Sequence, residues 1–163
     1  NSMGIILGNN FHHDLVRPGI SLYGGHFNTK MKQIIKPVIC LKGKILQIKE
    51  ISKNEFVGYN QTYKTNKKLK VAILGIGYAD GISRVLSNKG NAYYKNKTFK
   101  IIGRVSMDSI TVDISKNDKL IKVGDYMEII NHSNGIDKIA NQCNTICDEI
   151  LTSISKRVKR VYI

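Results

Sequence analysis

The sequence predicts a mainly β protein, built as a small barrel or folded-over sheet, with two short helices near the C-terminus. Three observations predict it. Many short runs rich in Ile and Val are punctuated by Gly, Asn and Asp. Helical spacing of apolar residues is sustained only late in the chain, from Ile136 onward. No linker rich in Pro, Gly or Ser and no internal repeat divides the 163 residues, which suffice for one ordinary core or one domain with an appendage.

Taken in order, Phe11 to Asn28 reads as a helix-to-strand passage ending in a Gly24-Gly25 turn, and the first thirty or so residues look like a different element joined to the β domain. From Pro37 the pattern changes: Val38-Ile39-Cys40-Leu41 and Ile45-Leu46-Gln47-Ile48 are β-rich runs around Gly43. Val71 to Ile76 is a compact apolar strand, expected to be buried on both faces. Gly81 to Ser87 suits a single helical turn, and Asn88-Lys89-Gly90 punctuates as a turn. Ala92 to Ile102, Ser109 to Ile114 and Asp125 to Ile130 supply further strands. Ile136, Ile139, Ala140 and Cys143 then recur at helical spacing. Thr145 is placed to cap a second helix with Asp148 at its third position, and Ile146, Ile150 and Ile154 would line one face. Arg157 to Ile163 reads as a last strand.

The hydrophobic fraction of 42% is that of a soluble globular protein, and no run approaches the length needed to span a bilayer. Asn1-Ser2-Met3-Gly4 has neither the basic region nor the cleavage pattern of a signal peptide, and a start without Met reads as a segment of a longer chain. Three cysteines, Cys40, Cys143 and Cys147, point to a reducing, cytoplasmic setting. Cys143 and Cys147 could share a helix face, but no His flanks them at a ligand spacing, so core packing is expected there and no metal site. His12, His13, His26 and His132 likewise make no metal-ligand spacing.

The 26 Lys and Arg against 12 Asp and Glu give a formal charge of +14, a balance that can mark a nucleic-acid binder. The lysines are scattered, however, and the two densest stretches, Lys64 to Lys70 and Lys156 to Arg160, lack the aromatic interleaving of a single-strand platform. A solvated basic surface is the preferred reading, and nucleic acid is disfavoured as a partner.

Three short motifs follow one another: Gly58-Tyr59-Asn60-Gln61-Thr62-Tyr63, Gly77-Tyr78-Ala79-Asp80-Gly81 and Gly103-Arg104-Val105-Ser106-Met107-Asp108. Tyr59 stands at a strand end or tight turn that would hold its phenol in the open. A phenol ionises with difficulty, so a catalytic Tyr needs cationic neighbours or a second base to share its proton; the plainer reading is an exposed loop Tyr. Tyr78 lies at the end of an apolar strand between two glycines, where Asp80-Gly81 also suits an ordinary turn. Arg104 and Asp108 could be a surface pair, and Met107 a core filler. Upstream, Val16-Arg17-Pro18-Gly19-Ile20 offers a cation beside a glycine that a ligand could approach closely, or simply a salt-bridged Arg.

With Val16-Arg17-Pro18-Gly19-Ile20, the three motifs in this order resemble the alanine racemase family over nearly the whole chain. Any one is modest; the second followed by the third some twenty residues on is specific. The resemblance implies a β domain at residues 33–163 preceded, at residues 1–32, by the end of a cofactor-binding (β/α)8 barrel. It implies an isomerase that interconverts L- and D-alanine with pyridoxal phosphate, supplies D-alanine for peptidoglycan, and works as a homodimer whose active site forms where one subunit's barrel meets the other's β domain. Tyr59 matches the base on one face of the substrate α-carbon, and the family's cofactor lysine serves the opposite face. Arg17 matches the arginine facing the pyridine nitrogen. Ser2, Gly19 and Ile20 match positions that hold the cofactor phosphate. Met107 matches a substrate contact, and Tyr78, Arg104 and Asp108 match positions lining the narrow way in.

The sequence also departs from the family pattern. Lys89-Gly90-Asn91-Ala92-Tyr93 imitates the cofactor-lysine motif but lies between the β-domain motifs, and is read as coincidence. Asn60 replaces a glycine, and Asp148 stands where many members place a tyrosine. With no counterpart of the cofactor lysine, this chain alone is expected to be inactive. The rival expectations are a basic β-barrel module that binds nucleic acid, a non-catalytic remnant, and a racemase for another amino acid such as serine.

Overall fold

The computed structural model describes residues 1–26, 29–116 and 120–162. The described residues fall into two compact units: residues 1–40 with 130–151, and residues 41–129 with 152–163.

The second unit is a closed six-stranded β-barrel. Its strands are β1 (Leu41–Ile51), β4 (Leu69–Leu74), β5 (Asn91–Tyr94), β6 (Lys97–Ile102), β7 (Ile110–Asp113) and β8 (Tyr126–Ile130), neighbouring in the order β1-β4-β7-β6-β5-β8. A separate hairpin of β2 (Phe56–Val57) and β3 (Tyr63–Lys64) completes its β structure. Closure removes the unpaired edges that an open sheet would expose. The mainly β expectation is therefore met, and the barrel is the form it takes.

Alternation explains why these runs become strands. Along β1, Leu41, Gly43 and Ile45 point inward between Lys42 and Lys44. The register then shifts between Ile45 and Gln47, so that Leu46 is exposed and the two expected runs join as one bulged strand. Val38–Cys40 stay outside it. In β4, Val71, Ala72 and Leu74 are buried while Lys70 and Ile73 are half-buried, so burial on both faces is partial. The run from Ala92 to Ile102 folds back at Lys95-Asn96, both with positive φ, as a two-residue hairpin turn requires. Ile45, Val71, Leu74, Ile101, Ile110, Val112, Met127 and Ile129 fill the interior. Each such side chain contributes about 1.5–3 kcal/mol by leaving water.

The first unit contains α1 (Ser2–Ile6), α2 (Thr29–Ile34) and α3 (Ile136–Cys143), and most of α4 (Cys147–Ser153). Asn1 caps α1 by accepting from the Gly4 N–H at 2.9 Å. Ile136, Ile139 and Ala140 form the buried stripe of α3, which ends on Asn144 in the left-handed region. His12 bonds the Ile5 carbonyl at 2.7 Å and His26 pairs with Asp137 at 3.2 Å, so both are structural. Burial raises the Cys147 thiol pKa above its ordinary value, and the nearby Asp137 and Asp148 add to the rise.

Three local expectations change. Residues 11–26 follow the 3-10 turn Asn9–Phe11, form a second at Ile20–Tyr23 and make no strand; Asn28, the end of that passage, lies outside the described residues. Gly19 and Gly24 bend this stretch too sharply for extended pairing. The Thr145 hydroxyl bonds the Glu149 carboxylate, one residue beyond Asp148, and Ile146 is exposed ahead of the helix. Arg157 to Tyr162 are not a strand; there Arg160 bonds the carbonyls of Ile154, Ser155 and Val158, leaving them turned in on their own segment. Ile163 lies outside the described residues.

Candidate functional site

In the barrel unit, the three motifs fold into one contiguous surface. Tyr59 opens a 3-10 turn (Tyr59–Gln61) at the tip of the β2–β3 hairpin. The hairpin is anchored through its inward pair: Val57 is buried with Ile51, Leu69, Val71 and Ile102, and Tyr63, paired with Val57, packs on the same cluster. Burial raises the Tyr63 pKa, with Asp113 adding to the rise, and leaves this inner tyrosine neutral. The Tyr59 side chain, by contrast, is 71% exposed. The base of the hairpin is thus fixed while its tip holds the Tyr59 phenol in the open.

Gly58 and Gly103 let this tip meet the third motif. Both have positive φ, at 76° and 75°. A Cβ on Gly58 would stand 2.8 Å from the Arg104 nitrogen, and one on Gly103 would stand 2.7 Å from the Val57 carbonyl oxygen. Only glycine allows these two backbones to approach so closely.

Asn88 ties the same two motifs. Its Oδ1 accepts from the buried Gly103 N–H at 2.6 Å, and its Nδ2 reaches the Thr62 carbonyl and hydroxyl at 3.4 and 3.3 Å. Ser87 acts alongside, accepting from the Val105 N–H at 3.0 Å and donating to the Arg84 carbonyl at 2.6 Å.

The second motif pairs with the third through the backbone. The N–H groups of Tyr78 and Ala79 donate to the carbonyls of Ser106 and Met107 at 2.9 and 3.0 Å. Asp80 folds back to accept from the Gly77 N–H at 2.8 Å. Its carboxylate also takes Arg157, whose Nε reaches Oδ1 at 2.6 Å, while Arg157 Nη2 reaches Asp108 at 2.7 Å. Burial alone would raise the Asp80 pKa, but the Arg157 guanidinium and the Gly77 N–H outweigh it and hold the carboxyl below its ordinary range. The two carboxylates push the Arg157 pKa above its ordinary value.

Tyr59, Tyr78, Arg104, Met107 and Asp108 thus belong to one unit and to segments that touch. Tyr78 and Met107 are half-exposed. The ion pair of Asp108 is with Arg157 rather than Arg104, whose Nε is buried without a partner among the described residues. Sequence reasoning missed Asn88, Ser87 and Arg157. The available signal was Asp80 itself: a carboxylate between a buried strand and a glycine turn needs a cation, and its own motif supplies none.

The other named residues belong to the first unit. The Ser2 hydroxyl oxygen accepts from the N–H groups of Gly19 and Ser21 at 3.0 and 3.3 Å. That leaves its own hydrogen to donate. Among the described residues, the space over Gly19 is open, with nothing within 4 Å of where a Cβ would lie, and the Ser21 hydroxyl is buried without a partner. Unused hydroxyl donors beside an open backbone fit a phosphate oxygen. Ile20 is buried, and Arg17 is exposed.

The family model for the alanine racemase C-terminal domain matches residues 38–162. The alanine racemase of Brucella canis is 41% identical over 177 residues, covering 100% of this chain and 45% of its own length. That of Acidiphilium cryptum is 42% identical, covering 99% and 45%. Among solved structures, the alanine racemase of Bartonella henselae with covalently bound pyridoxal phosphate has a TM-score of 0.91 and 42% identity, covering 99% of this chain and 45% of that one. The chain therefore spans about 45% of the length of these relatives.

Proposed function

Since the chain belongs to the alanine racemase family, we propose that it is the carboxy-terminal part of a cytoplasmic enzyme interconverting L- and D-alanine with pyridoxal phosphate. Its D-alanine would supply peptidoglycan. Residues 1–32 are then the end of the cofactor-binding (β/α)8 barrel and residues 33–163 the β domain, with a homodimer joining one subunit's barrel to the other's β domain.

The observation that carries the reading is the exposed Tyr59 phenol on an anchored hairpin tip, packed against the motif that bears Met107. Racemisation removes the α-proton from one face of the carbon and returns it on the other, so two groups must stand on opposite sides. Tyr59 is one of them: as the phenolate its oxygen takes the α-proton in one direction, and the phenol so formed returns it in the other. The second is the family's cofactor lysine, carried by the half that this chain does not span.

Pyridoxal phosphate, when bound, draws into its ring the electrons left on the α-carbon. Ser2, Gly19 and Ile20 would hold its phosphate, and Arg17 would face its pyridine nitrogen as a cation that does not readily give up a proton. Met107 would contact the substrate, and Tyr78, Arg104 and Asp108 would narrow the approach. This arrangement admits a small amino acid and keeps the exposed phenol from bulk water once the barrel is in place.

The test is Tyr59→Phe in the full-length enzyme. Alanine racemisation should fall by about 100-fold or more, with the cofactor's absorbance band unchanged. Near-normal turnover would rule out the assignment.

A further inference from the structure

We propose that Arg157, which lies outside the three motifs, is a positioning residue for the reaction: it holds the Gly77–Gly81 turn and the Ser106–Asp108 turn in one register and so sets Tyr78 and Met107. The proposal rests on the racemase reading above.

One guanidinium reads two carboxylates from two different turns. Nε and Nη2 take the two oxygens of Asp80 at 2.6 and 3.1 Å, and Nη2 also takes Asp108 at 2.7 Å. Asp80 is 8% exposed, so its charge needs a partner. The planar fork of Arg meets this geometry; the point charge of Lys could hold one carboxylate but not both at these angles.

The carboxylates lie two residues after Tyr78 and directly after Met107. Without Arg157, the two turns are joined chiefly by the bonds from Tyr78 and Ala79 to Ser106 and Met107, each contributing only about 1 kcal/mol net. Small displacements at such turns are enough to misplace a bound substrate.

The segment that delivers Arg157 is itself seated. The Ser153 hydroxyl donates to the Gly81 carbonyl at 3.3 Å, and the Ser153 carbonyl lies where a Cβ of Gly81 would stand, 2.7 Å away. Arg160 closes the carbonyls of Ile154, Ser155 and Val158 from the other side. Arg157 therefore acts through Asp80 and Asp108.

The experiment compares full-length wild type with Arg157→Gln, Arg157→Lys and Asp108→Asn, measuring kcat and KM for L-alanine and hydrogen exchange of the Tyr78 and Ala79 amides. For Arg157→Gln, KM should rise about tenfold with kcat changed less than about threefold, and exchange at the two amides should quicken while β4 and β7 stay protected. Arg157→Lys should fall between it and wild type. Asp108→Asn keeps the Asp80 pair and serves if Arg157→Gln does not fold; it should move KM and exchange in the same direction by less. Unchanged KM and unchanged local exchange in the folded variants would overturn the proposal, as would faster exchange spread evenly over the barrel. A wild type that does not racemise alanine would refute the functional reading instead, and the exchange comparison would then decide alone whether Arg157 sets the two turns.

Discussion

A Cβ on Gly77 would stand 2.3 Å from the carbonyl oxygen of Met107. The oxygen belongs to a backbone that Ala79 also bonds, so it cannot swing aside without breaking that bond. Gly77→Ala should therefore force the second and third motifs apart, at about 1–3 kcal/mol of stability. In the full-length enzyme the denaturation midpoint should drop and KM for alanine should rise. A variant with wild-type stability and KM would show that the two backbones tolerate separation.

Asn88 allows the side chain and the backbone conformation to be tested apart. Its φ of +60° suits Asn or Gly, and its Oδ1 satisfies a buried N–H. Asn88→Gly keeps the backbone conformation and removes only the side chain, which should cost about 1–3 kcal/mol for the orphaned Gly103 donor. Asn88→Ala adds backbone strain and should cost more. Chemical denaturation of both variants checks the order; a wild-type midpoint for Asn88→Gly would mean that the Gly103 contact contributes nothing, and equal losses in the two would mean that the positive φ costs alanine nothing.

The strands were legible because alternation and turn residues are local signals: Leu41 to Ile45 and Ile110 to Asp113 announce themselves within a few residues. The motif residues were legible for the same reason, and each motif proved to be one turn. What joins the motifs was not. Arg157 meets Asp80 and Asp108 across 77 and 49 residues of sequence, and nothing near it distinguishes it from the basic residues around it. Residues 157–162 have the β-branched and aromatic content of a strand, yet Arg160 holds the carbonyls of its own segment and Arg157 is drawn to two carboxylates, so these bonds override that content. The bulge at Leu46 was invisible because Leu46 is as apolar as its buried neighbours.

Asp80 makes the acid stability of the fold testable. Its pKa is lowered in the folded state from an ordinary 3.8, despite burial, by Arg157 and the Gly77 N–H. Below 3.8 the unfolded chain binds the proton more readily, so the stabilisation is complete above that pH and is lost as pH falls through the lower, folded value. Wild type should lose stability on acidification more steeply than Asp80→Asn, which is less stable at neutral pH and should converge on wild type in acid. Denaturant midpoints from neutral pH down to about 3 check this. Parallel curves would mean that Asp80 carries no stabilising charge.

One base cannot racemise. In the proposed role Tyr59 would exchange the proton on a single face of an α-carbon, and no residue of this chain is assigned to the opposite face. The four cofactor-holding candidates, Ser2, Arg17, Gly19 and Ile20, also lack the lysine to which the family's cofactor is joined. Incubated with pyridoxal phosphate and L-alanine in deuterium oxide, the isolated 163-residue chain should neither form D-alanine nor incorporate deuterium at Cα faster than free cofactor does. On the reading proposed above, a full-length enzyme that joins these residues to a barrel of about 250 residues should do both, and deuterium should appear in product of both hands. Racemisation by the isolated chain would require a second base within it, and Lys89 would be the first residue to replace, since it lies in the one stretch that imitates the cofactor-lysine motif.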